Sequence, residues 1–228
     1  MIRWDEPGYV VAFTTRVGGV SEAPYDSLNL TRGTGDDEAR VEENRRRACE
    51  MLGLSYERLA FNRQVHSPTV HHAQPGGRGV PGDGLWTDET DVPLLAMSAD
   101  CLPIAVVTTA GPRRLAVLHA GWRGLAEGVV EAGVSTLGDA PKAAIIGPAI
   151  GPCCYEVGPE VARLYDPDLL SDGHLDLWRA AERALRRAGV ERVERVDLCT
   201  RDHPELFFSH RRDGLARGVQ GVIGAVAG

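Results

Sequence analysis

Residues 104–120 read "IAVVTTAGPRRLAVLHA", two apolar runs of strand length separated by five residues of turn-forming composition. A short apolar run bounded by turn residues reads as a strand buried in a core, and "AGPRR" is the kind of connection that closes a hairpin. No other stretch restricts the fold as much. The two strands are expected to run antiparallel, so that Cys101 and His119 meet at the end opposite the turn, 18 positions apart in the chain.

The rest of the chain supplies partners for this hairpin. "YVVAFTT" (9–15), "LAFNRQVH" (59–66), "VPLLAMSA" (92–99) and "KAAIIG" (142–147) read as further strands. Helices are predicted over 36–53, where acids open and arginines close the segment before Gly53, over 124–138, and over 173–189. The long Gly/Ser/Asn segment 16–35 is expected to be ordered by Tyr25, Leu28 and Leu30, and "QPGGRGVPGDG" (74–84) to be a loop. With no repeat, low-complexity tract or linker, the expectation is one α/β domain over residues 1–228.

Composition narrows the function classes. Hydrophobic residues make up 43% and charged residues 25%, as in an ordinary globular protein. A formal charge of -7 argues against a general nucleic-acid or anionic-membrane partner, which needs a clustered positive field. No run of about 18 apolar residues and no secretory pattern is read, so a cytoplasmic location is expected. Five cysteines, an odd number without paired spacing, are expected as free thiols.

Cys101, His119 and His66, each at the end of a strand-like run, form a suitable three-ligand set for zinc, with a fourth position left open for water or substrate. The same residues also suit blander roles: a thiol packed as a small hydrophobe, a satisfied strand-end imidazole and an exposed loop histidine. "GWRG" after His119 predicts a helix start facing the cleft, with Arg123 suited either to an anion or to a structural ion pair. Arg16 in "TTRVGG" carries the same two readings. "GPAIGPCCYEVG" (147–158) reads as a shaped structural loop, whose adjacent Cys153 and Cys154 are not expected to chelate one ion together. "CTRDHPELFFSHRRDG" (199–214) clusters His203, His210, Arg211 and Arg212 around an aromatic pair and reads either as a solvated basic turn or as a contact to substrate phosphate.

Six strings in order, "FTTRVGGVSEAPYDSLNL", "RQVHSP", "SADCLPI", "LHAGWRGL", "GPAIGPCCYEVGPEV" and "FFSHRRDG", are spread from residue 13 to residue 214, nearly the whole chain. Together they resemble the YfiH-like family, also called the multicopper polyphenol oxidase or laccase-domain family and understood as purine nucleoside phosphorylases. The resemblance implies a layered α-β-β-α sandwich with mixed sheets, related to the catalytic domain of cytotoxic necrotizing factor. It implies a mononuclear zinc on His66, Cys101 and His119, with Cys101 and His119 at the catalytic centre. It further implies phosphorolysis of adenosine, inosine and methylthioadenosine, and deamination of adenosine. Ser67 stands where the family usually has glycine, and His210 where tyrosine is common.

Arg16, Asn29, Asp83, Arg123 and Arg211 are the candidates to position substrate or phosphate, and Asp83 and Asp100 to transfer a proton. Three other readings compete: a copper-dependent polyphenol oxidase, a cysteine hydrolase using Cys101 and His119, and a non-catalytic purine-binding protein. The expected partners are purine nucleosides and phosphate, for a monomer or small homo-oligomer.

Overall fold

The computed structural model describes residues 1–228. In chain order the first half holds β1 (Ile2–Trp4), β2 (Tyr9–Phe13), α1 (Glu38–Glu50), β3 (Ala60–Arg63), β4 (Val70–His72), β5 (Arg78–Pro81), β6 (Gly84–Thr87), β7 (Leu94–Ser98) and β8 (Leu102–Thr108). The second half holds β9 (Leu115–Ala120), α2 (Trp122–Ala126), α3 (Val129–Thr136), β10 (Lys142–Ile146), α4 (Pro159–Ala162), β11 (Leu170–Ser171), β12 (His174–Leu175), α5 (Leu177–Arg187), β13 (Arg192–Arg195), α6 (His210–Asp213) and β14 (Gln220–Val226). Two six-stranded sheets result, ordered β1-β2-β14-β7-β3-β5 and β13-β10-β8-β9-β6-β4.

The sheets stack face to face with helices outside both, the four-layer α-β-β-α sandwich expected. Strand residues alternate between faces, so a strand covered on both sides must be apolar at every position. β8 and β9 meet that demand except at Thr108 and His119 near their ends, and every residue of both is buried. Ile104 and Val106 pack toward Val130, Val134 and Leu185 of α3 and α5. Ala105 and Val107 point the other way, to Phe13, Leu94 and Val222 of the first sheet. On that sheet's outer face Ala48 and Cys49 of α1 cover Ala12, Leu95 and Ile223. No helix is long and apolar enough to cross a membrane.

The β8–β9 hairpin forms as read, with Pro103 opposite His119 and Leu102 opposite Ala120. Helix α1 starts one residue after its cap, Asp37, whose carboxylate accepts from the Arg40 amide. Three expectations are corrected. The helix read over 124–138 is two helices, broken at Gly128, whose φ of 91° belongs to the left-handed region. The helix read from 173 begins at Leu177 behind the cap Asp176, because His174 and Leu175 pair with β11 instead. The segment 74–84, read as a loop, contains β5, whose partner is β3. The 16–35 segment is irregular but anchored: Leu28 and Leu30 are fully buried, and the Tyr25 hydroxyl donates to Thr34 O.

Candidate active site

His119 is the penultimate residue of β9, Cys101 precedes β8 across the hairpin, and His66 lies in the loop after β3. Their donor atoms lie within 4.8 Å of one another, with His66 Nε2 at 3.9 Å from Cys101 Sγ. A β-carbon on Gly121 would stand 2.9 Å from both Cys101 Sγ and His66 Cδ2, so only glycine leaves these groups their present positions. Two imidazoles and one thiol suit a borderline-soft ion, and three protein donors leave a coordination position for a ligand.

Asp83, just before β6, organises the trio. Its carboxylate accepts from the amides of Val65, His66 and Ser67 at 3.1, 2.9 and 2.7 Å, from the Ser67 hydroxyl at 3.0 Å, and pairs with His119 Nδ1 at 2.8 Å. This leaves His119 Nε2 for the centre, the carboxylate–histidine arrangement that fixes a ligating ring's tautomer and orientation. His66 is held at φ 60° and Asp100 at φ 89°, conformations that cost a non-glycine residue of order 1–3 kcal/mol and persist only when their surroundings enforce them. Asp83 enforces the first. Asp100 is secured by the Thr200 hydroxyl at 2.6 Å and the Arg211 amide at 2.7 Å, both donating to its carboxylate.

Electrostatics follow from this packing. Burial pushes the Cys101 thiol up, but His119 and His66 beside it outweigh burial and favour the thiolate. Burial pushes His119 down, and the adjoining Cys101 and Asp83 outweigh that to favour imidazolium. Burial likewise raises Asp83, but the His119 contact and the amide donors bring its carboxyl down to about 2. The thiolate is the form a metal, or an electrophile, requires.

The three residues open onto a cleft of about 680 Å³, ample for a nucleoside. Its walls carry Arg32, Arg45, Arg63, Arg78 and Arg217 against one carboxylate, Glu42. Glu42 is taken up by ion pairs with Arg32, Arg45 and Arg78 at 2.8, 2.6 and 3.4 Å. Arg217 pairs with no carboxylate: its guanidinium donates to the carbonyls of Gly214 and Leu215, and its buried Nε has no partner. Ser98 Oγ, also lining the cleft, is buried without a partner. These groups come from five separate segments, and no local spacing in the sequence announces them.

The candidates for substrate contact are placed elsewhere, apart from His210, which does line the cleft. Arg16 bonds Asp26 and Pro204 O and covers the Phe208 ring, joining two loops. Asn29 is fully buried, bonding Thr31, Asp36 and the Val219 amide. Arg123 is exposed on α2 with its guanidinium over Trp122. Arg211 donates to Glu156 O beside the Tyr155 ring. Asp83 and Asp100 spend their oxygens on the contacts above, and neither lines the cleft.

Comparison with known proteins places this geometry. A family model described as multi-copper polyphenol oxidoreductase laccase matches residues 10–226. A Haemophilus influenzae protein named purine nucleoside phosphorylase is 36% identical, over 96% of this chain and 96% of its own. A Pseudomonas aeruginosa protein with the same name is 41% identical, over 92% of this chain and 90% of its own. The crystal structure of a Neisseria meningitidis protein of family DUF152 superposes with a TM-score of 0.90 at 33% identity, covering 100% of this chain and 99% of that one.

Proposed function

The chain belongs to the multi-copper polyphenol oxidoreductase laccase family, and on that premise we propose that it is a purine nucleoside phosphorylase. The observation that carries this reading is a His-Cys-His centre opening onto a cleft with five arginines and a single, already paired, carboxylate. Phosphate oxygen attacks the anomeric carbon as the glycosidic C–N bond breaks, giving ribose 1-phosphate and free base. Positive charge develops on the ribose, and the departing base takes up a proton. The relatives named purine nucleoside phosphorylase support the same reaction class.

Phosphate needs a desolvated cationic partner that is not already spent on a carboxylate. Arg217 meets both conditions, and Arg63 lines the same cleft without an ion pair. A charge-assisted hydrogen bond contributes about 1.5–3 kcal/mol, roughly a ten- to hundredfold change in binding. Arg217→Gln is therefore expected to raise the phosphate KM by that factor and to leave the nucleoside KM nearly unchanged. Charge reversal at the outlying Arg123 should leave the phosphate KM unaltered. An unchanged phosphate KM in Arg217→Gln removes phosphate from that side of the cleft.

His66, Cys101 and His119 would hold zinc, with copper as the alternative, since a two-histidine, one-cysteine set also serves single copper centres. Bound there, the ion would supply Lewis acidity, the chemistry that both the phosphorolysis and an adenosine deamination would draw on. Asp83 holds His119 and the His66 backbone in place for it. Gly121→Ala drives a methyl group against two of the donors. It should lower metal affinity about ten- to hundredfold, the range for disturbed supporting contacts, with little change in melting temperature. Metal content after dialysis against a weak chelator checks this.

Adenosine, inosine and methylthioadenosine are the proposed substrates. The deciding measurement is chromatography of each nucleoside with and without phosphate. Phosphate-dependent release of free base is expected; its absence for all three overturns the phosphorylase reading and leaves a binding protein. Oxidation of phenols is the weaker reading. A multinuclear copper centre needs many imidazoles, and of seven histidines only His66 and His119 gather at a thiol.

A further inference from the structure

Away from the cleft, Cys153, Cys154, Cys199 and Asp202 bring four donor atoms within 4.8 Å of one another. We propose that they form a second metal site, a closed three-thiolate, one-carboxylate site for a thiophilic divalent cation of the zinc class. The sequence reading held that adjacent cysteines would not share an ion. The fold adds two further donors to them from a distant segment.

Two tight turns face each other. In the first, the Cys154 amide donates to Gly151 O and directs the sulfurs of Cys153 and Cys154 to one carboxylate. Cys153 Sγ stands 3.2 Å from Asp202 Oδ2 and Cys154 Sγ 3.1 Å from Oδ1. In the second, the amides of Asp202 and His203 donate to Cys199 O, folding Asp202 back over the Cys199 thiol. Paired donors separated by two residues in a tight turn are a recurring half-site for tetrahedral zinc. Donors bound at ~2.0–2.3 Å in a tetrahedron stand about 3.5–3.8 Å apart, so the observed spacing closes on an ion with side-chain adjustment of about an ångström.

The surroundings fit as well. The Gly151 amide donates to Cys199 Sγ at 3.3 Å, the kind of supporting bond that orients a ligating sulfur. Cys154 and Cys199 are buried against Ile150, while Cys153 and Asp202 reach the surface and give an ion its way in. Loading releases three thiol protons, and four protein donors leave no open position, so the ion is a staple and not a catalyst. It would clamp the Cys199–Asp202 turn, which includes Thr200, the hydroxyl that secures Asp100 beside Cys101.

The test is cobalt(II) titration of metal-free, reduced full-length protein, followed in the thiolate-to-cobalt charge-transfer band and by bound metal per chain. The wild type should take up two equivalents. Cys101→Ser, which removes the only thiolate of the His-Cys-His centre, should keep one equivalent and most of the band, because three thiolates remain. Cys153→Ser, at an exposed position, and Asp202→Ala should each lower wild-type stoichiometry to one and lose most or part of the band. Loading the Cys101→Ser protein should also raise its melting temperature. A single equivalent in the wild type that is lost in Cys101→Ser overturns the proposal, and so do two equivalents with unaltered spectra in both Cys153→Ser and Asp202→Ala. Neither outcome bears on nucleoside phosphorolysis.

Discussion

Cys101→Ala is expected to lower phosphate-dependent base release by about 10³-fold in kcat/KM and to strip the His-Cys-His centre of its metal. The magnitude follows from the several kcal/mol that a bound ion contributes to a charged transition state, at ~1.4 kcal/mol per factor of ten. The variant removes the only thiolate among the three donors and leaves two imidazoles, a much weaker site. Cys101 sits ahead of a fully buried strand with the thiol at the cleft, so the fold should survive the loss of one sulfur. The same geometry, a thiolate favoured beside an imidazolium, also describes an activated nucleophile, and alanine would silence that too. Chelation separates the two. Loss of activity with the metal and recovery on its return identify Cys101 as a ligand. Full activity in metal-free protein, abolished by alkylation of Cys101, would instead overturn the metal mechanism and leave Cys101 as the activated nucleophile.

The part of this centre that the sequence discloses is the part made by local rules. Uninterrupted apolar runs and a five-residue turn sufficed to bring Cys101 and His119 together, and the observed register sets Pro103 against His119. His66 could be grouped with them because it too follows a strand. The arginine cleft was illegible for the opposite reason. Arg32 and Arg45 come from around α1, Arg63 from the end of β3, Arg78 from β5 and Arg217 from the approach to β14, and only the stacking of layers brings them to one wall. Arginines in motifs drew attention instead, and Arg16 and Arg211 turn out to tie loops together through backbone carbonyls. The grouping of Cys153 and Cys154 with Cys199 and Asp202 was illegible on similar grounds, because only the fold brings the second turn to the first. Within the helices, propensity extended a 124–138 helix through Gly128, where the backbone reverses.

Asp83→Ala is expected to be the most damaging single change to the framework of the site. Its carboxylate is fully buried and serves five donors at once. Removing one partner of a buried ion pair costs about 3–5 kcal/mol, and here the loop amides that hold His66 in a left-handed conformation lose their acceptor as well. For a chain of this size that corresponds to a fall in melting temperature of roughly 10 °C or more. Asp83→Asn keeps the volume but turns an NH2 group toward donors, so it should recover only part of the loss. The pH dependence distinguishes this from a simple cavity. In the folded protein the carboxyl titrates at about 2, against an ordinary value of 3.8. The folded form is thus the weaker proton binder, and the contribution of Asp83 is complete above the ordinary value and drains away as pH falls from about 4 toward 2. Denaturant unfolding of metal-depleted wild type and Asp83→Ala should therefore show a gap that is widest near neutrality and narrows in acid. A gap of constant size would mean that the side chain matters for its packing and not for its charge.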